Sequence, residues 1–144
     1  MIVRGAFTGL ISGILMGLFI KVLEIVSGKK IYVLLLNLDF IPGFKNASFS
    51  ELTEFTFHLL VAIPIGILFA FLVKRFHLDD KRKQYLVAIG ITLPTVFLYF
   101  PLTILAIKET PAPFDGIAIF LWSMGHIAFA LFLPIFYKTT KQKG

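Results

Sequence analysis

Four glycines at four-residue intervals, Gly5, Gly9, Gly13 and Gly17, sit inside one apolar run, and they constrain the fold more than anything else in the chain. In a water-exposed helix each interior glycine costs about 0.5–1 kcal/mol against alanine. In lipid the same spacing leaves a smooth ridge on which another helix backbone can lie closely. The ridge then runs into charge, with Lys21 four residues past Gly17 and Glu24 seven past it. A charge at the centre of a spanning segment costs roughly 2.5–3.5 kcal/mol on insertion scales, so these two side chains need partners.

The composition makes lipid the solvent. Of 144 residues 58% are hydrophobic and 17 are Phe, more apolar surface than a water-soluble domain of this length can bury. One compact bundle is the size that fits. The chain has no cysteine, which excludes disulfides, a thiol nucleophile and any Cys-based metal or iron–sulfur site. Its net charge of +6 is not arranged as a basic stripe interleaved with aromatics, so nucleic acid is not an expected partner.

Hydrophobic length and punctuation predict an all-α integral membrane four-helix bundle forming a single domain. The helices are expected at about 5–26, 50–73, 85–107 and 116–137. Lys21 and Glu24 interrupt the apolar region that a cleavable signal would need, so the first span reads as retained. Between the first two spans, Ile31–Leu36 is apolar but too short to cross, and Asn37, Asp39, Pro42 and Gly43 follow it. This irregular loop reads as interfacial or re-entrant. Ser48-Phe-Ser-Glu51 has capping-box spacing ahead of the second helix, and Asp115 is a candidate N-cap for the fourth. Pro64 is a candidate kink in the second helix, and Pro94 and Pro101 lie nearly on one face of the third.

With four spans both termini share a side. That side carries Arg4, Lys74, Arg75, Lys81, Arg82, Lys83, Lys138, Lys141 and Lys143, against Lys29, Lys30, Lys45 and Lys108 on the other. The positive-inside rule places the termini and the middle hairpin in the cytoplasm, with the bilayer and its anionic lipids as the expected partner. The setting this implies is a bacterial cytoplasmic (inner) membrane crossed by multiple passes.

Folding that topology brings titratable groups towards the outer end. Lys21 and Glu24 come from the first span, Glu54 and His58 from the second, and Asp115, Ser123 and His126 from the fourth. Ionisable residues within spans mark candidate functional sites, here a proton-sensitive or solute-binding pocket. The expected pairings are Lys21 with Glu24 or Glu54, and His58 or His126 with a carboxylate. Structural readings stand beside these. Lys21 and Glu24 fit an i,i+3 interfacial pair, Glu51 and Glu54 fit solvated first-turn acids, and each His fits a packing residue with a hydrogen bond. Two His with Glu54 are the minimum for a metal or a haem, but no His-x-x-x-His or Glu-x-x-His spacing accompanies them, and no cofactor is expected. No nucleotide-binding loop, Ser-His-Asp set or nucleophile elbow is present, so enzyme activity has no support in the sequence.

Phe100-Pro-Leu102, Thr110-Pro-Ala-Pro113-Phe-Asp115 and Ser123-Met-Gly125-His126 resemble the C-terminal half of the YagU-like family of inner-membrane proteins, a domain of unknown function. The Gly-rich first helix ending in Lys and Glu and the His early in the second helix are also similar. The chain departs from the family pattern in a shorter first outer loop and a Lys21-to-Glu24 spacing one residue tighter, which puts an equivalent ion pair in doubt. The resemblance implies a polytopic bacterial membrane protein tied to acid tolerance, without an established reaction. Carried onto this sequence it favours Lys21, Glu24, His58, Pro101, Pro113, Asp115, Ser123, Gly125 and His126.

Two functions follow as expectations. One is transport or sensing of a small solute or protons through the outer Lys/Glu/His cluster. The other is a membrane scaffold or accessory subunit, with Gly5, Gly9, Gly13, Gly17 and Gly125 as packing positions and the ridge docking a second copy or a partner helix. A weaker third is a haem, metal or lipid-substrate site at His58 and His126.

Overall fold

The computed structural model describes residues 1–138, and among them the secondary structure is entirely helical. The elements are α1 (Ile2–Ser27), a short α2 (Ile31–Leu36), α3 (Glu51–Arg75), α4 (Lys81–Phe97), α5 (Tyr99–Leu105) and α6 (Gly116–Phe136). With α4 and α5 counted as one span, four stretches are long and apolar enough to cross a bilayer, the build of a multi-pass membrane protein. Lys141 and Lys143 of the basic tail lie outside the described residues.

Local chemistry sets the helix ends. Gly28 closes α1 with φ 73°, a left-handed cap whose N–H donates to the Glu24 carbonyl at 2.8 Å. Ser50, not Ser48, caps α3. Its extended backbone aims Oγ at the Thr53 N–H, 3.2 Å away, and the Ser48–Glu51 box does not form. Asp80 accepts from the Arg82 N–H at 2.9 Å and starts α4 at Lys81, four residues before the Tyr85 start that hydropathy alone predicts. Asp115 caps α6 as expected, accepting from the Ala118 N–H at 3.1 Å.

The third span is not one continuous helix. Pro101 has no N–H for the Phe97 carbonyl, and its ring crowds that carbonyl, so the chain turns at Leu98 and resumes as α5. Two buried side chains brace the break. The Trp122 indole donates to the Val96 carbonyl at 3.1 Å, and the Tyr99 hydroxyl donates to the Ala112 carbonyl at 2.8 Å.

α1 packs between α3 and α6, while α4 packs on α6 and only sparingly on α3. The glycine ridge makes the α1–α3 seam. A Cβ at Gly9 would lie 2.5 Å from the Ala62 carbonyl oxygen, and one at Gly5 would lie 2.7 Å from Ile67 Cα. Gly13 faces the Ala62 methyl and Gly17 the Phe55 ring. All four glycines are buried against α3 of the same chain, which leaves the ridge occupied and not free to dock a second helix. Gly125 does the same service on α6, where Ile20 of α1 fills the space its side chain would need. At the opposite end of the bundle, Lys81 Nζ donates to the Pro134 carbonyl at 2.6 Å and to the Tyr137 carbonyl at 3.2 Å, joining the start of α4 to the last turn of α6.

The loop after α1 folds inward. Ile31, Leu34 and Leu36 of α2 are buried in the core, so this segment is a cap over one end of the bundle. Two carboxylates fix it. Glu24 accepts from the N–H groups of Tyr32 and Val33 at 2.7 and 3.1 Å, supplying the first turn of α2 with the acceptor it otherwise lacks. Asp39 accepts from the N–H groups of Ile107 and Lys108 at 3.1 and 2.6 Å, which ties the cap to the α5–α6 connection.

Candidate functional site

The capped end is held by charge. Ion pairs join Lys21 to Glu51, Lys29 to Asp115 at 2.6 Å, Lys30 to Glu109 at 2.8 Å and Lys108 to Glu54 at 2.9 Å. The Tyr32 hydroxyl also donates to Glu51 at 2.9 Å, and Lys21 Nζ lies 5.4 Å from the centre of the Tyr32 ring. These contacts correct the expected pairings. Lys21 meets neither Glu24 nor Glu54, because Glu24 is turned towards the α2 backbone and Glu54 is taken by Lys108.

The loop groups carry the electrostatic mark of this arrangement. The hydrogen bond from Lys29, helped by the Ala118 N–H, holds the Asp115 carboxyl below its usual range, and Lys30 does the same for Glu109. Burial pushes the Asp39 carboxyl upward, but the N–H groups of Ile107 and Lys108 and the Asn37 amide outweigh it and leave it lowered. Burial, reinforced by the Glu51 carboxylate, pushes the Tyr32 phenol up.

Beneath the cap, where α3 and α4 barely touch, lies a cavity of about 210 Å³. Its walls come from α1, the α2 loop, α3, the α4–α5 break and α6, and most are Leu, Ile, Phe, Ala and Met side chains. Val61 and Leu98 line it yet are 60% and 47% exposed, so the mouth opens sideways between α3 and α4. His58 and His126 both line this cavity, together with Glu54, Thr95, Asn37 and Trp122. At 1.5 Å per residue His58 sits about 10 Å below the start of α3 and His126 about 15 Å below the start of α6.

Neither imidazole meets a carboxylate, contrary to expectation. His58 Nε2 donates to the Gly13 carbonyl at 3.2 Å and His126 Nδ1 donates to the Trp122 carbonyl at 2.9 Å. The Trp122 and His126 rings are 4.4 Å apart. The cause is topological: the carboxylates nearest in sequence are recruited by lysines of the loops at the capped end, while close α1–α3 contact at Gly13 presents a carbonyl to His58.

The candidate residues therefore fall into separate groups. His58, His126 and Glu54 share the cavity. Lys21, Glu24 and Asp115 belong to the ties that hold the cap. Ser123 is satisfied within its own helix, donating to the Ile119 carbonyl at 2.8 Å. Among the described residues no three His, Cys, Asp or Glu side chains converge as a metal site. Sequence reasoning did not single out Asn37, Thr95 and Lys108. Only Asn37 left a signal, as the polar residue that ends the apolar run of α2.

No protein-family model, no curated protein and no solved structure matches this chain.

Proposed function

We propose that this protein binds a small, largely apolar molecule drawn from the bilayer, admitted between α3 and α4 and held beneath the α2 cap. The cavity carries this reading. It measures about 210 Å³, its walls are mostly apolar, and its mouth faces the surface where lipid chains would lie. An apolar cavity of about 150 Å³ stays dry and takes up a hydrocarbon guest, so a space of this kind suits an organic occupant better than water. The outer acids favour binding over conduction, since Glu51, Glu54, Glu109 and Asp115 are paired with lysines and Glu24 and Asp39 with backbone N–H groups. The charge distribution and the likeness to YagU-like proteins support a bacterial inner membrane, with the termini and the α3–α4 hairpin in the cytoplasm.

Trp122 is the sole tryptophan and lines the cavity while only 2% exposed, so it reports the occupant. Titrating a bromoalkane into protein in lipid nanodiscs should quench Trp122 saturably, and Val61→Phe at the mouth should weaken that quenching. A linear, unsaturable response identical in both proteins overturns the reading.

A second reading, pH-driven movement of protons or a small solute, draws on the two imidazoles that open on one cavity and on the family's link to acid tolerance. Liposomes that show no pH-driven flux would remove it.

A further inference from the structure

The hydrogen-bond inventory of the cavity wall is lopsided. A backbone carbonyl can only accept, so the Gly13 and Trp122 carbonyls require protons on His58 Nε2 and His126 Nδ1. In the neutral imidazoles the remaining nitrogens, His58 Nδ1 and His126 Nε2, are bare lone pairs. Both residues line the cavity, and among the described residues no hydrogen bond reaches either of these nitrogens.

Most donors on the same wall are already committed. The Trp122 indole N–H goes to the Val96 carbonyl, the Thr95 hydroxyl to the Thr92 carbonyl at 2.5 Å, and one of the two Asn37 amide N–H groups to Asp39 at 2.8 Å. Glu54 is matched by Lys108 at 2.9 Å. At the two imidazoles the protein leaves acceptors to which it donates nothing.

We infer that the occupant is a neutral hydroxyl-bearing apolar molecule, a long-chain or isoprenoid alcohol or a phenol, whose O–H is received by His58 Nδ1 or His126 Nε2. This rests on the cavity reading above and narrows it. At the imidazoles a ketone, quinone, ester or carboxylate brings only acceptors and would set lone pair against lone pair. An ammonium brings donors, but the one carboxylate on the wall is neutralised by Lys108, so its charge would enter an apolar site uncompensated. A hydroxyl supplies the missing proton without a charge.

The test compares 1-dodecanol with its methyl ether, at equal mole fraction in nanodiscs holding the full chain, and follows Trp122 emission. One net hydrogen bond corresponds to about tenfold at most, so the alcohol should bind roughly five- to tenfold more tightly than the ether. His126→Phe and His58→Phe should each reduce that preference. Equal binding of alcohol and ether by the unmutated protein overturns the hydroxyl assignment and leaves the cavity reading standing. A saturable response to neither compound overturns both. Because the deciding comparison uses the unmutated chain, a variant that fails to fold does not blunt it.

Discussion

His58 Nε2 donates to the carbonyl of Gly13 at 3.2 Å, so a glycine that lets α1 lie against α3 also fixes which imidazole nitrogen is left for the cavity. His126 is fixed the opposite way, through Nδ1 to the Trp122 carbonyl. The two rings are therefore expected in different tautomers, His58 protonated on Nε2 and His126 on Nδ1. Nitrogen-15 NMR of selectively labelled histidine at neutral pH separates them. Finding the same tautomer at both positions, or a proton on His58 Nδ1, would contradict the geometry.

The glycine seam predicts a sharp contrast between two substitutions of the same kind. A Cβ at Gly9 would stand 2.5 Å from the Ala62 carbonyl oxygen and 3.1 Å from Gly66 Cα, both backbone atoms that cannot rotate away. Gly9→Ala should force α1 and α3 apart at a cost of about 1–3 kcal/mol, as overpacking does elsewhere. Gly90 lies in α4 with nothing within 4 Å of its would-be Cβ. Gly90→Ala should therefore stabilise by about 0.5–1 kcal/mol through helix propensity alone. Unfolding midpoints in SDS, followed by Trp122 emission, should move in opposite directions for the two variants.

Much of the architecture was legible in the sequence because it depends on local quantities. Apolar length gave the four spans, and Asp115 ahead of an apolar run gave the cap of α6. The partner of the glycine ridge was not legible, since a smooth face says nothing of which helix will use it. The ion pairs were misjudged for a related reason. Spacing along one helix proposes Lys21 with Glu24, but α2 folds back and offers Glu24 two N–H groups that no local pattern reveals. The break at Leu98 has a visible cause in Pro101, yet it is braced by contacts distant in sequence, from the Trp122 indole of α6 to the Val96 carbonyl and from the Tyr99 hydroxyl to the Ala112 carbonyl ahead of α6. Of the cavity, only the two histidines and Glu54 stood out beforehand. The apolar majority of its wall looks like any lipid-facing side chain until the helices are assembled.

Acid should loosen the capped end. The carboxyls of Asp39, Glu109 and Asp115 all have lowered folded-state pKa values, set by the contacts described above. A depressed carboxylate contributes stability above its unfolded pKa, about 4, and that contribution drains away as pH falls through the folded value. The SDS midpoint should thus decline as pH drops from about 4 towards 2. Asp39→Asn removes one of these titrations, so its midpoint should start lower and fall less steeply. Asp39→Ala strips the acceptor from the Ile107 and Lys108 N–H groups, at a cost on the order of 2–3 kcal/mol. Faster amide exchange at those two residues is the local readout.

Thr92 offers the reverse case, a polar group whose removal should help. It is 2% exposed in α4, and its Oγ1 is sealed from solvent with no hydrogen-bond partner, although its own carbonyl accepts from the Thr95 hydroxyl. An unpaired buried hydroxyl carries a desolvation penalty of about 1–3 kcal/mol, while Val reproduces the branched shape and the χ1 preference. Thr92→Val should accordingly raise the SDS midpoint by an amount equivalent to about 1 kcal/mol. It should leave the Trp122 response to a bromoalkane unchanged, because Thr92 is not part of the cavity wall. A loss of stability would mean that the hydroxyl has a partner, such as a bound water, that this packing does not account for.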